Sequence, residues 1–241
     1  MSQTKLLYME DMESLECSAF VESTESKDGK DVVILDQTVF YPQGGGQPYD
    51  IGEIYNEDTK FIVEEVRFVD GEVLHIGQFD GRKFIQGEDV KCKVNKERRD
   101  LHARLHSAGH VIDMAVNKLG YTDWVPTKGF HFPEGSYVEY EVKSDIDKEK
   151  LKAELEQTIA KIISKNPKAE TKFMEADELS SICKFVPDYV PKDKPTRVVA
   201  YEGFGIPCGG THVKQLKDIG KVTIRKLKTQ AGTLRVSYQI S

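Results

Sequence analysis

Apolar and polar positions give the two halves of this chain different rhythms. Between residues 5 and 94, short β-rich runs recur at 32–35, 38–41, 61–68, 73–76 and 90–94, separated by Asp-Gly, Glu-Asp and Gly-rich breaks. Asp28-Gly29, Asp70-Gly71 and Asp80-Gly81 pair residues that tolerate positive φ, and each predicts a hairpin turn. Repeated short strands without a helical period predict a small antiparallel β-barrel. From Asn95 the period changes. Leu101, Leu105, Ala108, Ile112, Ala115 and Leu119 step by four and three, the apolar stripe of a helix that Gly120 ends. A second helix, capped by Asp147 and reaching about residue 165, turns Leu151, Leu155, Ile159 and Ile162 inward, with Pro167 beyond its end. Strands are expected at 137–142, 170–174, 197–201, 221–227 and 233–240. The expected architecture is therefore α+β: a barrel domain over 1–92, then a domain over 93–241 with helices packed on an antiparallel sheet.

Charge sharpens this division. The chain of 241 residues has a net charge of −6, yet residues 1–92 carry 20 Asp/Glu against 8 Lys/Arg, and residues 93–241 carry 20 against 26. Seven of those cations (Lys214, Lys217, Lys221, Arg225, Lys226, Lys228 and Arg235) fall in one stretch with a single acid, Asp218. An acidic first half and a basic second half permit phosphate contact by the second. No run of 18 apolar residues offers a membrane-spanning helix, and the acidic start lacks the apolar core of a secretory signal. Cys17, Cys92, Cys183 and Cys208 are scattered without disulfide-type spacing. A cytoplasmic, reducing location is expected, with any special cysteine a ligand or nucleophile.

Chemistry-bearing residues concentrate in three places. His102, His106 and His110 are each four residues from the next, which places neighbours one helical turn apart. Two such imidazoles can converge on one ion. The residues after His102 and His106 are Ala103 and Ser107, so the H-E-x-x-H metalloprotease pattern is excluded. Cys208, Gly209, Gly210, Thr211 and His212 place a thiol and an imidazole in one Gly-rich turn. With two helix histidines they form a mixed S/N donor set suited to zinc. Spacing alone does not decide between His102 and the other two. The third place, residues 40–50, contains Gly44, Gly45, Gly46 and Gln47. It lacks the Lys-Ser/Thr of a triphosphate loop, and its glycines let backbone N–H groups approach a bound group.

Together, the H-x-x-x-H of His106 and His110 and the C-x-x-x-H of Cys208 and His212 resemble the signature of the alanyl-tRNA synthetase editing domain. Residues 40–50 with Gly52 and Glu53 are similar to the segment preceding that domain, where a Gly-Gly-Gln lines the editing pocket. Asp218, Ile219 and Gly220 also fit. The resemblance covers nearly the whole chain in order, and without an aminoacylation domain it points to the free-standing AlaX proteins, the longer kind with an N-terminal barrel. It implies Zn2+ on His106, His110, Cys208 and His212, and deacylation of mischarged tRNA(Ala), chiefly Ser-tRNA(Ala) and secondly Gly-tRNA(Ala). An alanine pocket rejects serine and glycine poorly, so a second, hydrolytic site is needed.

Gln47 and Ser107 are the expected polar groups of the catalytic pocket, with Gln47 reaching it from the barrel; His102 and His131 are weaker candidates. Lys221, Arg225, Lys228 and Arg235 are expected to meet tRNA phosphates. Two rival readings are an editing deacylase for another tRNA and a zinc-stabilised RNA-binding module without catalysis.

Overall fold

The computed structural model describes residues 3–27, 29–143 and 145–241. They form two compact units, Met1–Asp100 and Leu101–Ser241. In the first, β1 (Lys5–Leu6) and β4 (Gln37–Thr38) make a short parallel pair. The strands β2 (Glu16–Lys27), β3 (Lys30–Leu35), β5 (Gly52–Tyr55), β6 (Lys60–Val69), β7 (Glu72–Asp80) and β8 (Asp89–Val94) close into an antiparallel barrel, in the order β2-β3-β7-β6-β5-β8. Alternate residues of β8, Val90, Cys92 and Val94, point into the core, the period-two pattern of a strand with one buried face. Val33, Leu35, Ile54, Phe61, Val63 and Val66 join them.

Asp70 and Gly71, at φ 50° and 90°, make the two-residue turn between β6 and β7. Asp80-Gly81 does not make a hairpin. The strand that follows, β8, pairs with β2 and β5, so Gly81 opens a crossing loop instead. Asp28 of the third expected turn lies outside the described residues. Val39, Phe40 and Tyr41 are buried but leave the ladder after β4, because the chain there turns into the Gly-rich segment.

That segment is organised by an ion pair. Asp50 and Arg99 are almost wholly buried, with side chains 0% and 2% exposed. The Arg99 Nη2–H donates to Asp50 Oδ2 (2.5 Å) and to the Val39 carbonyl (2.6 Å), and Nη1 reaches the carbonyls of Met12 and Ser14. Asp50 Oδ2 also accepts the Tyr41 N–H at 2.7 Å. A buried charge pair is tolerable only when its remaining hydrogen-bonding capacity is met, as it is here. Its effect is to tie the N-terminal segment, the Gly-rich segment and the first turn of a helix to one point.

That helix, α1 (Lys96–Lys118), begins at Asn95, whose Oδ1 accepts the Arg98 N–H. Leu105, Ala108, Ile112 and Ala115 are buried as the stripe predicts, and Val111, Met114 and Val116 are buried as well. Helix α2 (Lys148–Lys165) is capped by Asp147, and its four predicted core residues are all buried. Two sheets complete the unit. One has the order β14-β15-β10-β9, from β9 (Val125–Phe130), β10 (Tyr137–Glu141), β14 (Val222–Gln230) and β15 (Thr233–Ile240). The other is β11-β12-β13, from β11 (Glu170–Met174), β12 (Thr196–Tyr201) and β13 (Phe204–Pro207).

Two tests follow. Arg99→Ala leaves Asp50 charged and buried, so stability to denaturant should fall by about 3–5 kcal/mol; a loss below about 1 kcal/mol would mean the pair organises nothing. The second concerns His75, fully buried in β7, whose Nδ1–H donates to the Val33 carbonyl and whose Nε2 accepts from Thr38. Burial lowers its pKa to about 4, against 6.5 in the unfolded chain. A depressed folded pKa means stability that is complete above pH 6.5 and lost as pH falls toward 4. Between pH 7.5 and 5 the His75 contribution should fall by about 2 kcal/mol. Wild type and His75→Gln with equal pH slopes would refute it.

Candidate metal centre

Helix α1 fixes half of the centre. His106 and His110 lie one turn apart, and both rings are buried. The other half is the loop after β13. Arg197, a buried residue of β12, donates from Nη1 to the carbonyls of Cys208 (2.8 Å) and Gly210 (2.9 Å), which sets the loop's backbone. The Cys208 Sγ then lies 3.4 Å from His106 Nε2 and 3.3 Å from His212 Nε2. One ligand atom from each of His106, His110, Cys208 and His212 falls within 4.8 Å of every other. His102, one turn earlier on α1, is outside this group.

Ser107 stands behind the cluster and is fully buried. Its Oγ accepts the Val213 N–H at 3.0 Å and lies 3.1 Å from His212 Nδ1 and 3.4 Å from the Tyr201 hydroxyl, which donates to the Val213 carbonyl. One proton arrangement satisfies all of these: His212 Nδ1–H to Ser107, Ser107 O–H to Tyr201, and Tyr201 O–H to Val213. It leaves the His212 Nε2 lone pair directed at the Cys208 side. A partner on the far ring nitrogen that fixes tautomer and orientation is the usual support of a metal-ligating histidine.

His131 packs flat on His106, ring centroids 4.5 Å apart, and its Nδ1 lies 2.6 Å from the Tyr238 hydroxyl, which in turn donates to the Leu105 carbonyl. A Cβ on Gly109 would come within 2.5 Å of His131 Cε1, and one on Gly129 within 2.7 Å of its Nε2. A glycine in mid-helix is otherwise unfavourable; here it makes room for the ring.

Electrostatics suit a cation. Burial is the main cause that depresses the His106 and His212 pKa values well below the ordinary range and takes His110 and His131 to about 3. The rings are therefore neutral, the form that ligates. Burial raises the Cys208 thiol, opposed by the Gly210 N–H and Arg197, so ion uptake must displace a proton. His110 Nδ1 is buried and has no hydrogen-bond partner among the described residues. Three imidazoles and one thiol fit a zinc-type ion.

The other expected site residues are each described within their own unit. Gln47 is fully buried and closes a turn with Gly44, across Gly45 and Gly46 at φ 51° and 79°. Lys228 and Arg235 are opposite each other in the β14–β15 register, but Arg235 is paired with Glu139 at 2.8 Å and lies over the Tyr137 ring. Arg225 Nε donates to the Tyr238 carbonyl, and Lys221 is exposed. No local sequence pattern marks Tyr201 and Tyr238 as supports of the cluster, and Arg197 is nearly as silent. Arg197 left one trace, a cation beginning the otherwise apolar run Val198, Val199, Ala200 and Tyr201.

Comparison with known proteins now narrows the class. The family model for tRNA synthetases class II (A) matches residues 5–98. The chain is 34% identical to an alanine–tRNA ligase of Methanobrevibacter smithii, covering 98% of this chain and 27% of that protein. It is 29% identical to the alanyl-tRNA editing protein AlaX-L of Pyrococcus horikoshii, over 95% of this chain and 55% of the relative. The chain thus spans about a quarter of the ligase and about half of AlaX-L. With the alanyl-tRNA editing protein AlaX-M of Methanosarcina barkeri it is 32% identical over 98% of both chains. The chain belongs to the AlaX family of alanyl-tRNA editing proteins.

Ser107→Ala removes the acceptor for His212 Nδ1–H and for the Val213 N–H. Affinity for zinc should fall by about 10- to 100-fold, and Cys208→Ala should leave the purified protein with well under one ion per chain. Metal analysis and competition with a chelator check both, and unchanged zinc content in Cys208→Ala would remove that residue from the site.

Proposed function

We propose that this protein is a zinc-dependent hydrolase that deacylates mischarged tRNA(Ala), chiefly Ser-tRNA(Ala) and also Gly-tRNA(Ala). The observation that carries this reading is the convergence of His106, His110, Cys208 and His212 in a chain related end to end to an editing protein. The reaction breaks the ester between the amino acid and the terminal ribose, with water supplying hydroxyl to the acyl carbon and a proton to the ribose oxygen. A bound zinc ion would supply positive charge to the substrate carbonyl, amine or water.

The protein's own groups have distinct parts. His106, His110 and His212 are buried, whereas Cys208 is partly exposed, so the approach is assigned to the cysteine side. Ser107 is a positioning residue: it holds the proton of His212 Nδ1 and keeps Nε2 available. Gln47 is assigned to orient the substrate from the N-terminal unit. The domains are read as a barrel with the Gly-rich segment and a zinc-binding deacylase, working in the cytoplasm.

One observation favours a second reading. Three imidazoles and one thiolate already fill a tetrahedron, the composition of structural zinc sites, as a non-catalytic RNA-binding module would require. Deacylation of Ser-, Gly- and Ala-tRNA(Ala), beside a mischarged tRNA of another identity, separates the readings. Release of serine at least about tenfold faster than alanine is expected, well within what a site that hydrogen-bonds the serine hydroxyl can supply. Binding without release supports the module, and faster release from the other tRNA supports a different editing enzyme.

RNA contact is assigned to the basic half. Lys228→Gln should flatten the salt dependence of tRNA binding by a slope of roughly 0.7–0.9. Arg235→Gln should change it less, since Glu139 already offsets that charge. Affinity unchanged by Lys228→Gln at moderate salt would return β14 to a plain solvated face.

A further inference from the structure

Two cysteines far apart in sequence face each other in the barrel. Cys17 of β2 is directly opposite Cys92 of β8. The bonds from Val94 N–H to the Leu15 carbonyl (2.9 Å) and from Val21 N–H to the Glu88 carbonyl (3.0 Å) lie in the same register. By the alternation of an antiparallel ladder, Cys17 and Cys92 are then a hydrogen-bonded pair, with Cα atoms about 5.5 Å apart. A disulfide spans about 4.4–6.8 Å between Cα atoms, a range this pair meets, and closing the bond needs the Cβ atoms to draw in from about 5.5 Å to about 4.5 Å.

Directly opposite residues share one face of the ladder, and the surroundings of the two thiols differ in a useful way. Cys92 is 1% exposed within the barrel core, whereas Cys17 is partly exposed. The neighbouring Cys92 thiol, and secondarily the Val39 backbone, lower the Cys17 pKa against the opposing effect of burial. The hydrogen bond with Cys17 raises Cys92, with burial adding to it. One sulfur is thus reachable and favoured as thiolate, and its partner waits beside it in the core. Cys183 is buried and Cys208 belongs to the metal cluster, so neither repeats this arrangement.

We propose that Cys17 and Cys92 are a thiol-modification site that closes to a reversible cross-strand disulfide on meeting a low-molecular-weight disulfide of the glutathione class. The Cys17 thiolate attacks one sulfur of the small disulfide, forming a mixed disulfide and releasing a small thiolate, which takes up the Cys92 proton. Cys92 then attacks Cys17 Sγ, forming the cross-strand bond and expelling the second small thiolate, which takes up the proton first lost from Cys17. Two protein thiols are oxidised, and one small disulfide is reduced to two thiols. Because β2 and β8 are the first and last strands of the barrel, the bond encloses its other four strands and β4. It should raise the midpoint of thermal unfolding by restricting the unfolded chain.

The test uses the full-length, zinc-loaded protein. It is incubated with oxidised glutathione, blocked with iodoacetamide, digested and mapped by mass spectrometry. The expected product is a peptide pair joined through Cys17 and Cys92, about 2 Da lighter than its two thiol-bearing parts and separated by dithiothreitol. In Cys92→Ser the glutathione should instead remain on Cys17, since the attacking partner is gone. Full alkylation of both cysteines in the oxidised wild type would overturn the proposal. So would a lasting glutathione adduct on Cys17 beside an alkylated Cys92. The wild-type map decides alone if the variant does not fold.

Discussion

The proposed centre depends on one strip of backbone, residues 208–213, being held against one face of α1. Metal ligands drawn from a helix and from a distant loop converge only if that loop's carbonyls and N–H groups are all met. Arg197 takes two of the carbonyls, and Ser107 takes the Val213 N–H and holds His212. Each buried group lost from this network would leave another unsatisfied, at about 1–3 kcal/mol apiece. The same burial keeps the imidazoles neutral, so the structural requirement and the chemical one coincide. Gly109 belongs to the same logic, since only a residue without Cβ lets His131 pack on His106.

The barrel unit solves a different problem with the same means. Its Gly-rich turn and N-terminal segment have little regular structure of their own, and the Arg99–Asp50 pair gives them a common anchor. The cost of burying two charges is offset by hydrogen bonds to the backbone of Met12, Ser14, Val39 and Tyr41. The Gly-rich motif, which lacks the residues of a triphosphate loop, forms a turn closed between Gly44 and Gln47.

Much of this was legible in sequence where a pattern is carried by side-chain period. The α1 stripe, the Asp147 cap, β15 and the four cluster residues all follow from spacing or from family resemblance. The α+β class with its antiparallel barrel followed as well. The strand β2 was invisible because its run of Ser and Glu shows no apolar alternation beyond Ala19 and Val21. Likewise β9 contains Pro126, which a strand tolerates only at an edge, and β9 is an edge strand with a bulge beside that proline. Arg197 and the opposition of Cys17 with Cys92 depend on register across the sheet, which no local window contains.

One ion held by these four residues would make the protein a hydrolase. The most direct test is a zinc titration of the chelator-stripped protein, following release of serine from Ser-tRNA(Ala) at each step. The rate should be near background without metal, rise linearly and break at about one zinc per chain. A stripped protein that deacylates at the full rate, or one that never does at any zinc level while still binding the tRNA, would contradict it.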